Sequence, residues 1–503
     1  MNRIKKNIVA NFGGSLFTGV MSLIFLPVYI NFLGIEAYGL VAIFTTILTM
    51  FAVLDMGLIQ TLTRELARLA VLPDSAREMR DLLRTLEIPY IGIGLMIGIT
   101  VYLIAPWLAH DWVNSQTLSV KSVESSVVIM GLIIAVQWPL GFYSGGLIGL
   151  QEQVILNLVN SIMALSRGLL SMLVLWQISA TIEAFFWTQL IVSLAHILIV
   201  IYLLWTRLPT HCKRSRFRIK ILSNIWRFAT GIAGISLIGS LLLQLDKIIL
   251  SKLLTLEVFG YYAIANVVSM NVYRLFGPVY SAIYPRLTNL ITLGSEKDLA
   301  DFYHKSAQLL AIVVFPVVAV LIFFSKELIQ LWLQNQNLAS ATAPIISVLV
   351  IGTLINGILH IPYGLQLAAG WTSLALRFGI LSVVIFGVLL LILTEYYGID
   401  GAVWAWPIQQ LLYFIFTIPL MHRRLLKKEQ WRWYWSDVCF PMILSFTPVF
   451  IMWQLKPDIM GLIETLIYLS ATYIFALIVL FIGLPIIRSH VKKFLYKKYG
   501  NSR

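Results

Sequence analysis

A chain carrying one apolar run of some twenty residues after another has little freedom about what it becomes. Each run is long enough to cross roughly 30 Å of hydrocarbon as a helix. Hydrocarbon admits only helices and closed barrels, because nothing else satisfies every backbone N–H and C=O internally. A barrel needs short alternating strands, and this sequence has unbroken apolar stretches instead. Composition agrees: 59% of 503 residues are apolar and 12% charged, with a mean hydropathy of +0.86, whereas soluble domains carry roughly a quarter of their residues charged. The expected fold class is an all-α polytopic membrane protein.

About fourteen transmembrane helices are predicted, over 8–32, 38–63, 86–109, 123–148, 154–178, 183–206, 226–251, 258–284, 306–332, 341–368, 372–394, 399–421, 438–455 and 460–486. Lysine and arginine orient them, since cytoplasmic loops carry the excess. With the N-terminus inside, the outer loops hold only Lys121, Lys252, Lys326 and Lys456, and four more cations lie within spans. The rest of the 37 basic residues fall in inner loops and tails. Both termini are thus expected in the cytoplasm. Arg3, Lys5 and Lys6 precede a first apolar run too long for a signal peptide, so that run is expected to be retained as a span. Residues 74–87 read as a separate helix on the inner membrane surface, capped by Asp74, with Met79, Leu82, Leu83 and Leu86 on one face. Trp431, Trp433, Tyr434 and Trp435 are expected at interface level.

The chain also echoes itself. Gly34–Ile43 (GIEAYGLVAI) aligns with Thr255–Ile264 (TLEVFGYYAI), pairing Glu36 with Glu257, and Ser15 falls on Ser236. Gly146–Glu152 aligns with Gly364–Gly370, and Ile182–Trp187 with Ile399–Trp404, every match at an offset between 217 and 221. Two six-helix repeats are therefore expected, with two further C-terminal helices. The N-lobe is taken as 1–206, a basic cytoplasmic linker as 207–225, the C-lobe as 226–421, and a two-helix appendage with a basic tail as 422–503. Fused repeats enclosing a site between them are a recurring transporter plan.

Charges within spans point to function, because a mid-span arginine or lysine costs about 2.5–3.5 kcal/mol on insertion scales. Arg167 shares a helical face with Asn157, Asn160, Ala164 and Ser171, a polar stripe on an otherwise apolar helix. It reads as a cavity residue or as a polar link between helices. Arg274 shares a face with Asn266, Met270, Gly277 and Ser281. Lys247 and Arg377 lie nearer span ends, where snorkelling is the alternative to a substrate-binding role. Asp55 and Asp246 are candidates for coupling to a proton or sodium ion, or for structural pairing. His360, with Asn356 and Tyr363 on its face, is a substrate-binding candidate, though it and His196 fit equally as packed neutral imidazoles. Four buried cations against about two buried anions favour an anionic cargo such as a phosphate or pyrophosphate, which arginine grips bidentately.

Other classes are set aside. The net charge of +14 follows the membrane charge rule and calls for no nucleic-acid partner. The two cysteines, Cys212 and Cys439, fall in or beside loops assigned to the reducing cytoplasm, so neither disulfide nor metal is expected. No phosphate-binding loop, zinc-helix motif or nucleophile elbow occurs. No cofactor or catalytic residue is expected, and energy must come from ion gradients, membrane potential or substrate consumption elsewhere.

Three segments carry a resemblance: Leu54-Asp-Met-Gly-Leu-Ile-Gln60 with Thr63-Arg-Glu65, Gln244-Leu-Asp-Lys-Ile-Ile-Leu250, and Glu257-Val-Phe-Gly-Tyr-Tyr-Ala263 followed by Pro278 and Tyr284-Pro-Arg-Leu287. Over residues 1–421 the chain resembles the polysaccharide transporter (O-antigen flippase) branch of the multidrug/oligosaccharidyl-lipid/polysaccharide (MOP) exporter superfamily. That resemblance implies two MATE-like six-helix lobes around a central cavity. It also implies a bacterial inner-membrane flippase moving undecaprenyl-pyrophosphate-linked oligosaccharide to the outer leaflet by alternating access. Its partners would be that glycan and membrane lipids, with a polysaccharide polymerase or ligase complex as a further partner; a monomer suffices. Two extra C-terminal spans depart from the twelve of many such flippases and are similar to lipid II flippases, whose arginine-rich first helix is absent here. A cation-coupled drug or metabolite antiporter would need acids in the cavity. A glycan polymerase or ligase would need a larger external loop than the dozen or so residues seen here.

Overall fold

A computed structural model describes residues 3–55, 57–210, 215–218, 240–457 and 459–484. Ser236, Cys212, residues 226–239 of the seventh expected span and the C-terminal basic tail lie outside them. The described residues form helices and connecting loops without a strand. In chain order these are α1 (Arg3–Ala52), α2 (Leu58–Leu69), α3 (Ala76–Trp107), α4 (Val120–Gly149), α5 (Gln153–Gln177), α6 (Ile182–Arg207), α7 (240–253), α8 (Leu256–Asn271), α9 (Tyr273–Leu293), α10 (Glu296–Phe323), α11 (Ser325–Leu333), α12 (Gln336–Ile358), α13 (His360–Ala368), α14 (Thr372–Leu425), α15 (Gln430–Gln454) and α16 (Leu462–Gly483). Polar residues in short loops start several of them. Ser119, Thr181 and Asn335 accept backbone N–H groups in the first turns of α4, α6 and α12, the usual work of such side chains at a helix N-terminus.

Among the described residues, ten helices are long and apolar enough to cross a membrane, not the fourteen expected. Two of the ten are pairs joined at a glycine. In α14, Gly398 has φ 59° and ψ −138°, a conformation that glycine adopts without steric cost. The chain folds back there: the rings of Phe378 and Tyr413 lie 6.0 Å apart, where a straight helix would separate the residues by about 50 Å. In α1 the break is Gly34, with φ 82° and ψ 169°. Tyr29 and Phe44, on either side of it, meet the consecutive Phe185 and Phe186 of α6. The expected span 258–284 is itself divided, between α8 and α9 at Val272.

The chain divides into two compact units, Met1–Gly260 and Tyr261–Arg503. In unit 1, α4 is the central helix, flanked by α2, α3 and α6. Small residues let the backbones approach, as membrane helices do where lipid offers no hydrophobic drive. Gly94 and Gly98 of α3 face Ala135 and Gly131 of α4, and Thr63 of α2 donates its hydroxyl to the Gly145 carbonyl at 2.9 Å. Buried Glu36 accepts the backbone N–H groups of Gln116 and Thr117, pinning the loop before α4 to α1 just past its break. Helix α7 and the start of α8 also belong here: Trp112 Nε1 donates to Ser251 Oγ at 3.1 Å, and Leu256 N to the Asn114 carbonyl at 2.8 Å.

Two expectations are corrected. The separate surface helix over 74–87 does not exist, because α3 runs unbroken from Ala76 into its membrane span. Met79, Leu82, Leu83 and Leu86 do share a face, but they are buried in protein. Asp74 caps nothing; its φ is 53° and the residue ahead of the helix is Ser75. Trp433 is fully buried and so is a core residue, whereas Trp431 and Trp435 are exposed as an interfacial belt requires.

In unit 2, α10 packs against α9, α12 and both C-terminal helices. Ala319, Val320 and Phe324 share one core with Val449, Leu469 and Ala476. The basic connector, expected over 207–225, is described at 207–210 and 215–218. There Arg216 N donates to Asp81 Oδ1 at 2.7 Å and Arg218 N to Thr85 Oγ1 at 3.0 Å. Arg218 Nη2 stands 2.7 Å from Asp81 Oδ2 as an ion pair without hydrogen-bond alignment.

Candidate functional site

Helix α5 presents two opposite faces. Leu158, Ile162, Leu165, Leu169 and Trp176 form an exposed apolar stripe. Arg167 lies roughly half a turn away from each of them, on the side that packs against α1 and α6. Next to it, buried Gly168 receives the ring of Phe25 so closely that a Cβ would overlap it. This placement answers the first question about Arg167: its face is turned toward protein, not toward the apolar exterior.

The groups around Arg167 are neutral. Tyr29 of α1 and His196 of α6 are its electrostatic neighbours, and no carboxylate is paired with it among the described residues. Elsewhere in unit 1 arginines find acids readily. Arg68 pairs with Glu65 at 2.8 Å and Arg84 with Glu87 at 2.6 Å. Beside Arg167, hydrogen bonds link neutral side chains. His196 Nε2 lies 3.1 Å from Asn160 Oδ1, and Gln189 Nε2 donates to Ser171 Oγ at 3.0 Å. His196 Nδ1 is buried without a hydrogen-bond partner. An uncompensated guanidinium among dipoles produces a positive potential that low dielectric strengthens, so the cluster suits an anionic group.

Asn157, nearly three turns earlier on the same face, donates to Asn11 Oδ1 at 2.6 Å and to the Gln153 carbonyl at 2.8 Å. The stripe of Asn157, Asn160, Arg167 and Ser171 is therefore real and faces α1 and α6. Its sequence signal was helical periodicity. The contributions of Tyr29 and Gln189 gave no such signal, since each sits on another helix whose own pattern is apolar.

The other candidates are placed as follows. Lys247 is half-buried, donates to the Leu243 carbonyl at 3.0 Å, and has buried Asp246 at 3.9 Å. Asp55 is buried, accepting the Tyr90 hydroxyl and, at 3.1 Å, the Ile59 backbone N–H at the start of α2. In unit 2, Asn266 is buried on α8. Arg274 is exposed on α9 with Gly277, Pro278 and Ser281. No large apolar side chain is exposed from residue 254 to 292, so that face has the character of a wetted wall. His360 sits 3.1 Å from the Asn356 carbonyl through Nδ1 and stacks on Phe276 with centroids 5.1 Å apart, which is the packed-imidazole arrangement. Beside it, Tyr273 donates to Asn356 Oδ1 and Asn356 Nδ2 to Gln410 Oε1, each at 3.0 Å. Arg377 is exposed on the face of Ile380, Val384 and Val388, as a snorkelling cation would be.

Comparison with known proteins converges on one group. Residues 4–291 match the family described as polysaccharide biosynthesis protein, and residues 232–393 match MatE. A Shigella flexneri protein assigned as an O-antigen transporter is 23% identical over 418 residues, covering 81% of this chain and 95% of its own. Among solved structures, the lipid II flippase MurJ in an inward closed conformation superposes with TM-score 0.68 at 14% identity, covering 93% of this chain and 97% of its own. An inward-facing multidrug resistance MATE transporter of the MOP superfamily gives 0.64 at 13% identity over 84% of this chain and 98% of its own.

Fold and comparisons together define a multi-pass helical membrane protein with the fold of MurJ and MATE transporters. More narrowly, with over half its length matched, the chain belongs to the polysaccharide biosynthesis protein family.

Proposed function

We propose that this chain is a flippase for undecaprenyl-pyrophosphate-linked oligosaccharide, an O-antigen or related surface-polysaccharide repeat unit, carried from the inner to the outer leaflet by alternating access. The observation that carries this reading is Arg167, turned to the protein side of α5 with no carboxylate paired to it among the described residues. A guanidinium in that setting lowers its own electrostatic cost by taking up a phosphate. Arg274, on its polar and small-residue face, is the second candidate contact, with Lys247, Asn157, Asn160 and Asn266 assisting.

The chain is then a transporter rather than an enzyme. It acts in the bacterial inner membrane, both termini in the cytoplasm, delivering glycan to a polymerase or ligase. Asp55 and Asp246 are the candidates for carrying a coupling cation.

The test is export of surface glycan by a strain dependent on this chain. Arg167→Ala should abolish export at unchanged membrane level, and Arg167→Lys, which keeps the charge but not the bidentate fork, should restore only part. Full export by Arg167→Ala would overturn the reading. Lipid II is the second cargo, favoured by a superposition that extends over 93% of the chain. Rescue of a strain lacking its lipid II flippase would select it.

A further inference from the structure

We infer that a polar cavity in unit 2, lined by none of the candidates above, binds the carbohydrate part of the cargo. This rests on the glycan reading and adds a second contact point to it. The cavity has a volume of about 740 Å³, within the range of about 300–1,000 Å³ typical of small-molecule sites. It lies between α11, the start of α12 and the residues preceding α16. Charge placement assigns that end of the helices to the outer side.

Its lining argues for a polyhydroxylated ligand. Gln330, Gln334 and Gln336 present three carboxamides, all on exposed residues, and none is hydrogen-bonded through its side chain to the described protein. A carboxamide offers two donors and an acceptor, which matches hydroxyl groups that both give and receive. Glu327 is taken up by the Lys456 ammonium, so the carboxamides and the Lys326 ammonium are the open hydrogen-bonding groups of the lining.

A hydrocarbon tail would leave three amides unsatisfied, whereas sugar hydroxyls both donate to them and accept from them. Leu331 and Met460 supply apolar wall for the C–H face of a pyranose ring. The exposed ammonium of Lys326 stands at the rim, able to donate to ring or hydroxyl oxygens. The lining thus differs in kind from Arg167, one fitted to sugar and the other to diphosphate.

The test uses the full-length chain in a strain whose surface glycan the wild-type protein restores. p-Benzoylphenylalanine replaces Gln334, and separately Val71, an exposed control in unit 1. After illumination the adduct is probed for the strain's own glycan. The expected result is glycan-bearing adduct at position 334 about tenfold above that at 71, absent when glycan assembly is blocked. A second readout combines Gln330→Ala, Gln334→Ala and Gln336→Ala. With three hydrogen-bonding groups gone, export should fall about tenfold or more, at unchanged membrane level and unfolding midpoint, since none of the three amides holds the fold. Failure of either readout overturns the sugar site. If Arg167→Ala still abolishes export in that case, the flippase reading stands alone. If the wild-type chain restores no glycan in any strain, both fall.

Discussion

His304 on α10 and Asp437 at the start of α15 meet in the interior of unit 2, 133 residues apart in sequence, with the imidazole Nδ1 bonded to Asp437 Oδ2. Asp437 Oδ1 takes a second hydrogen bond from Gln308 at 2.9 Å, and His304 Nε2 reaches Glu429 Oε2 at 2.9 Å. Sequence reading treated the last two helices as an appendage, and nothing in it hinted at this junction.

Removing one partner of a buried hydrogen-bonded pair leaves the other polar group unsatisfied and costs about 1–3 kcal/mol. His304→Ala and Asp437→Ala should each lower the unfolding midpoint of the purified protein in detergent, and the double variant should cost less than the sum. Additive losses would mean that the two residues act independently.

Gly168 is where α1 closes on α5 beside Arg167. A methyl group there overlaps the Phe25 ring, so Gly168→Ala should destabilise by about 1–3 kcal/mol, the usual cost of overpacking. Adding Phe25→Leu should recover part of the midpoint. No recovery would show that the contact is not the cause.

Asp55 both caps the first turn of α2 and satisfies the buried Tyr90 hydroxyl. Asp55→Ala should cost about 1–3 kcal/mol. Asp55→Asn keeps an acceptor and should retain most of the stability. Export measured on Asp55→Asn then separates the two roles: loss at retained stability marks an ion carrier, full export a structural acid.

Glu65 gives a pH prediction outside the spans. Burial alone would raise its pKa, but hydrogen bonds and charge from Arg68 and Arg64 outweigh it and hold the carboxyl below the ordinary range. A depressed folded pKa contributes stability above the unfolded value of about 4.3, lost as pH falls through the folded value. The midpoint difference between wild type and Glu65→Gln should be present at neutral pH and be lost progressively as pH falls below the unfolded value of about 4.3. It should also shrink in high salt, since both arginines are exposed.

The helical architecture was largely legible because apolar length is a local signal. Gly398 marks the boundary between two expected spans, and the stripe through Asn157, Asn160 and Arg167 follows from helical spacing alone. What stayed hidden was whatever depends on a distant partner. The apolar face of Met79, Leu82, Leu83 and Leu86 could not say whether lipid or protein would cover it. Trp433 looks like its belt neighbours until His422 and Phe414 are seen around it. The site around Arg167 was half-visible for the same reason: α5 announced its polar face, while Tyr29 and Gln189 came from helices with no comparable pattern.

The grip of α10 on the C-terminal pair has an uneven makeup. Uncovering Ala319, Val320 and Phe324 to acyl chains would cost little, since lipid is as apolar as the side chains it would replace. Uncovering His304 and Gln308 would strand polar atoms in oil. A truncated chain ending near residue 425 should therefore fail at a few polar side chains, His304, Gln308 and Glu327, rather than along a whole surface. Changing His304 and Gln308 to leucine and Glu327 to glutamine in the shortened protein should let the remaining helices stand without the last two.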